Sequence, residues 1–197
     1  TDYPFRPHSA FAHLTGLGTD REPDAVLVME PIFTDADEEA DEDVENAGHV
    51  ATLYFKPRAP RTDPEFYADA RHGEMWVGQR ESLDEMSAIT GLPCEAISEL
   101  PSALSNHTDR IPTRVVRGVD ERITQLLDEL RRTNEVEFDP CVDEELEVML
   151  SELRLIKDDF ELEQMQLAVD ATKVGFDAVI TDFPTAVAKG RGERWCE

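Results

Sequence analysis

The apolar residues change period near residue 142, and that change confines the chain to an α/β body followed by long helices. Before it, short runs rich in Val, Leu and aromatic residues, bounded by Pro, Gly and charge, read as strands: 25–30 (AVLVME), 49–56 (HVATLYFK), 74–77 (EMWV), 96–100 and 113–117 (TRVVR). Helices are expected over 82–90 and 120–131. The first is opened by Ser82 with Glu85 at the capping-box position and stopped by Gly91 and Pro93. Alternating strands and helices argue for an α/β fold with a mixed or parallel sheet. After residue 142 the period is helical, with Leu146, Met149, Leu150 and Leu153 in a segment 143–156. A second segment, 159–183, carries Leu162, Met165, Leu167, Val169, Phe176 and Val179, and Lys157-Asp158 breaks the two apart. Pro140 and the acidic CVDEE mark a junction, so a new domain is expected from about residue 141.

Length and charge narrow the function. A chain of 197 residues, 40% hydrophobic, can bury one good core with an appendage and is not wholly disordered. No apolar run approaches the roughly 18 residues that cross a bilayer, so a soluble protein is expected. Asp and Glu number 44 against 19 Lys and Arg, and a net charge of −25 repels phosphate backbones and anionic membranes. Nucleic acid and membrane are therefore poor partners. The densest acidic run, 34–45 (TDADEEADEDVE), reads as a solvated surface loop between two neighbouring strands. It is not a calcium loop, because the turn glycine and the closing Glu of a twelve-residue frame are missing. The opening at Thr1 has neither a basic start nor an apolar stretch like a secretory signal, and reads as a cut from something longer. Cys94, Cys141 and Cys196, widely spaced and odd in number, suit reduced thiols in a cytoplasm.

Catalytic motifs are scarce. There is no GxSxG elbow, GxxxxGK[ST] loop, GxGxxG turn or HExxH pair. His8 and His13 are five apart, on different sides of any helix, and Pro7 before them argues against one. His49, His72 and His107 stand alone in sequence, and carboxylates are too abundant for spacing to single out an acid/base pair. The residues by themselves describe an acidic α/β domain with helices appended.

Three stretches in order, DYPFRPHSAFAHLTGLG with DAVLVME, then FYADARHGEMWVGQR, then LSELRLIKDDFELEQMQLAVDATKVGF, resemble aminopeptidase P, the Xaa-Pro aminopeptidases. The resemblance spans nearly the whole chain. It implies a creatinase/prolidase-like N-terminal domain over 1–140, a mixed β-sheet flanked by helices. Residues 141–197 would be the helical start of a "pita-bread" catalytic domain. The activity implied is removal of an N-terminal residue that precedes proline. Two manganese ions, or another divalent metal, would be held by two Asp, one His and two Glu that all lie beyond Glu197. By this resemblance the chain contains no catalytic residue or metal ligand and is inactive alone. The implied partners are Xaa-Pro peptides and further copies of the chain, in a homo-dimer or homo-tetramer.

One position in the chain is implied to touch substrate. In oligomeric family members the tryptophan of a WxGxR-like segment projects toward a neighbouring subunit's active site, and it matches Trp76. An indole can stack on a proline ring and exclude water. The alternative for Trp76 is packing, half-buried, at a strand end, and Arg80 is expected to be an interface or surface charge. Two other readings of the whole chain stay open. One is a non-catalytic dimerisation or binding module; the other is a prolidase, an Xaa-Pro dipeptidase.

Overall fold

In β2 (His49–Phe55) successive side chains point to opposite faces, and from Leu53 to Phe55 both faces are covered. In the computed structural model, which describes residues 5–19, 24–32, 48–108, 112–190 and 192–196, this strand is the centre of a three-stranded sheet. β1 (Val26–Pro31) runs antiparallel to it in the register Val26↔Tyr54 to Pro31↔His49. β3 (Cys94–Ala96) runs parallel on the other side, with Leu53 opposite Cys94. The sheet is therefore mixed, one of the two forms that the alternation of elements left open. The acidic run 34–45, expected as a loop between β1 and β2, lies outside the described residues.

Each face of β2 has its own core. Leu53 and Phe55, both fully buried, pack with Leu17 and Met86, and with Phe11 from α1 (Ser9–Thr15) and Leu83 from α4 (Leu83–Thr90). Tyr54 points the other way, against Leu100 and Leu104 of α5 (Leu100–Thr108) and Ile123, Leu126 and Leu130 of α6 (Glu121–Thr133). Between β2 and α4 lie two single-turn helices, α2 (Glu65–Ala68) and α3 (Glu74–Val77). Ser82 caps α4 as its sequence indicates: the hydroxyl accepts from the Glu85 amide, Glu85 accepts from the Ser82 amide, and Gly91 closes the helix in the left-handed region.

Several segments differ from the sequence reading. Residues 74–77 form a turn of helix, not a strand, because the Trp76 and Val77 amides donate to the Gly73 carbonyl. The strand expected at 96–100 lies earlier, at Cys94–Ala96. A 3₁₀ turn (Ile97–Glu99) then leads into α5, where Pro101 sits in the first turn and its missing N–H costs nothing. Residues 113–117 are not a strand, since side chains occupy their backbone groups. The Val115 amide donates to Asp143 Oδ1, and the Thr113 carbonyl accepts from Arg131. Pro7 precedes α1 without preventing it; His13 lies in its last turn.

α7 (Cys141–Leu153) is secured by Asp143, which is almost fully buried. The Asp143 carboxylate accepts from Arg117 Nε at 2.7 Å and Arg131 Nη2 at 3.1 Å, and both arginines also pair with Asp128. The chain divides into compact units at Thr1–Ser151 and Glu152–Glu197. The second unit is dominated by α8 (Asp159–Lys189), opened by an Asp158–Glu161 capping box and continuing through Pro184, where the sequence reading stopped it. Leu162, Met165, Val169, Phe176, Ile180 and Phe183 on α8 are all exposed. Trp195 of α9 (Gly192–Cys196) lies against Lys189 of α8, with the ammonium 3.1 Å from the ring centre. Among the described residues no helix is long and apolar enough to cross a membrane.

Candidate functional site

The segment from Pro64 to Arg80 folds into a small helical hairpin that displays apolar side chains. Asp69 makes its bend: Oδ1 accepts from the amides of Arg71 (2.9 Å) and His72 (3.1 Å), and its carbonyl accepts from the Gly73 amide at 2.7 Å. Gly73 is packed so closely on α2 that a Cβ there would stand 2.6–2.7 Å from the carbonyl oxygens of Asp69, Glu65 and Phe66. α3 lasts one turn and ends at Gly78, whose φ of 89° suits a residue without a Cβ. On its outer surface Met75 and Trp76 are each 61% exposed, and Val77 and Tyr67 beside them are also open to solvent.

Trp76 is exposed yet oriented. Its Nε1–H donates to the Tyr67 carbonyl at 2.7 Å, which ties the exposed indole to α2. The half-buried strand-end packing considered for this residue is not what the structure has. Phe66 and Tyr67 meet edge to face at 4.8 Å and stiffen α2 beneath it.

Charge holds the hairpin to the sheet. Lys56, just after β2, lies 3.0 Å from both Glu65 and Asp69. The Lys56 hydrogen bond, helped by the Arg71 and His72 amides, holds the Asp69 carboxyl well below the usual carboxylate range. Asp24 ties three segments together, accepting two hydrogen bonds from Arg71 (2.6 and 2.7 Å) and one from Arg122 at the start of α6 (3.0 Å). Burial pushes Asp24 upward, but Arg71 and Arg122 outweigh it and its carboxyl is held below the ordinary value. His72 stands between the two carboxylates, Nδ1 3.1 Å from Asp69 and Nε2 3.2 Å from Asp24; a ring with one N–H donates to only one of them at a time.

Arg80 is not the surface charge the sequence suggested. It is 5% exposed, and its guanidinium donates to the carbonyls of His72 (2.9 Å) and Lys56. Sequence reasoning also missed Asp143, Asp24 and Asp69. In a chain with 44 acidic residues nothing local sets them apart, because their partners are far away in sequence. The remaining histidines take separate places: His8 just before α1, His13 within it, His49 opening β2 and His107 in α5. Cys94 and Cys141 are free thiols. Among the described residues no group of three or more His, Cys, Asp or Glu is arranged to hold a metal ion.

Comparison with known proteins gives concordant matches. The family described as "Aminopeptidase P, N-terminal domain" matches residues 1–115. Xaa-Pro aminopeptidase 1 of Streptomyces coelicolor is 41% identical over 197 residues, all of this chain and 34% of that protein. Xaa-Pro aminopeptidase 2 of the same organism is 38% identical over 195 residues, 99% of this chain and 36% of that protein. The chain thus spans about a third of the length of these curated relatives. Among solved structures, a histidine-to-alanine variant of Escherichia coli Aminopeptidase P aligns with 67% of this chain and 25% of its own, at 20% identity and a TM-score of 0.45.

Proposed function

Because the chain belongs to the aminopeptidase P N-terminal domain family, matched over residues 1–115 of 197, we propose that it serves in an Xaa-Pro aminopeptidase, which releases the N-terminal residue of a peptide whose second residue is proline. The observation that carries this reading is the 41% identity to a Streptomyces Xaa-Pro aminopeptidase along the whole chain. In this reading residues 1–140 are the creatinase-like N-terminal domain, and 141–197 begin the catalytic domain. The exposed apolar positions of α8 would then be the face on which the remainder of that domain packs. The relatives' greater length supports this. The enzyme works as a homo-dimer or homo-tetramer in the cytoplasm, where the free thiols of Cys94 and Cys141 stay reduced.

The part we assign to this chain within that enzyme is in binding peptide. Trp76 is the residue we assign to it. An exposed indole held in one orientation can stack on a proline ring at little entropic cost, a contact of about 0.5–1.5 kcal/mol. Trp76→Ala in the native enzyme is expected to raise KM for Xaa-Pro peptides longer than a dipeptide by about 2- to 13-fold, the same energy expressed as affinity. Metal content should stay constant. Steady-state kinetics on a tripeptide series checks this, and an unchanged KM removes Trp76 from the site.

A further inference from the structure

An exposed indole ordinarily samples several rotamers, so something must keep the Trp76 turn in place. Its hydrogen bond to the Tyr67 carbonyl lasts only while α3 stays docked against α2 and the end of β2. Arg80 lies behind that docking. One guanidinium nitrogen donates to the His72 carbonyl, two residues before α3, and another to the Lys56 carbonyl, immediately after β2. The Arg80 amide donates to Glu74 Oε1 at 2.8 Å, and the Arg80 carbonyl accepts from Arg58. A buried cation is costly unless its donors are met, and here carbonyls on the two sides of the turn take one donor from each of two guanidinium nitrogens. We infer that Arg80 is the positioning residue for Trp76: its planar fork ties the turn that presents the indole to the edge of the core. A lysine has the charge but not the fork that reaches two carbonyls at once.

The inference rests on the assignment of Trp76 to peptide binding, but its test does not. In the full 197-residue chain carrying Trp195→Phe, Trp76 is the single indole left of two, and solvent exchange of its N–H is read by NMR. The indole is expected to exchange slowly, and Arg80→Lys is expected to speed it at least tenfold. The amides of Leu53 to Phe55 in the core should keep their rates. An unchanged indole rate overturns the inference. So does equal acceleration of indole and core amides, which would mark a general loss of stability rather than release of the turn. Should Arg80→Lys not fold, Glu74→Ala, which frees the Arg80 amide at a half-buried position, decides the matter: severalfold faster indole exchange supports the inference, and no change overturns it. Kinetics of Trp76→Ala test the assignment separately, so either can fail alone.

Discussion

Gly73 shows how little freedom the turn beneath Trp76 has. Its backbone torsions suit any residue, but the three carbonyl oxygens within 2.7 Å of a would-be Cβ belong to main chain, which cannot swing aside as a side chain could. Gly73→Ala must therefore lift α3 off α2. Its cost is expected to be about 1–3 kcal/mol, the range for overpacking a tight site. Urea denaturation measures that loss, and the Trp76 indole resonance should shift with it. A tolerated alanine, with neither change, would show that the hairpin is looser than described. Gly78 differs: open space surrounds it, and its need is conformational, a φ of 89° where the chain leaves α3. Trp76 and Arg80 were both visible in the sequence as a WxGxR-like pair. Their environments were not, because the guanidinium of Arg80 is met by the Lys56 carbonyl, which the fold brings from the end of β2.

Elements defined by local chemistry were legible, and those defined by distant partners were not. The α4 capping box, its Gly91 stop and the break before α8 each rest on residues within a few positions of one another. Residues 113–117 have strand-like composition, yet Asp143 and Arg131 take their backbone groups, and no local pattern announces that. Similarly α5 begins at Leu100-Pro101, where the proline reads as a stop but occupies a helix's first turn. Asp143 itself holds three elements: α7, the segment at Val115 and Arg117, and Arg131 on α6. Removing Asp143 from this buried network leaves Arg117 and Arg131 with Asp128 alone, one carboxylate for two cations. Asp143→Ala is thus expected to cost about 3–5 kcal/mol, seen as a lower urea midpoint. A change below about 1 kcal/mol, the value of a surface pair, would mean that water reaches the arginines.

For the whole molecule, charge sets both its acid behaviour and the partners it can accept. Asp24 and Asp69 titrate below the ordinary value of 3.8 when folded, so on acidification the unfolded chain takes up protons first. Their stabilisation is complete above that value and is lost as pH falls through the depressed folded values. Global unfolding mixes this loss with relief of the −25 self-repulsion, so the clean readout is local. The Arg71 and His72 amides, which donate to Asp69, should keep their protection from pH 7 to about 5 and lose it well below 4, ahead of the β2 amides. An α/β body with a mixed or parallel sheet was readable from alternation, and the family from three family-like stretches rather than from any catalytic motif. The residues that arrange the Trp76 hairpin were hidden because each is an ordinary charge until the fold pairs it. The central claim, service in an Xaa-Pro aminopeptidase, is tested most directly on the native protein captured from its own cells with an antibody to this chain. Supplied with a divalent metal, it is incubated with two peptides that differ only in proline or alanine at the second position. Release of the first residue from the proline peptide alone is the predicted result. A native protein of only 22.2 kDa that cleaves neither peptide would contradict the account and leave a binding module in its place.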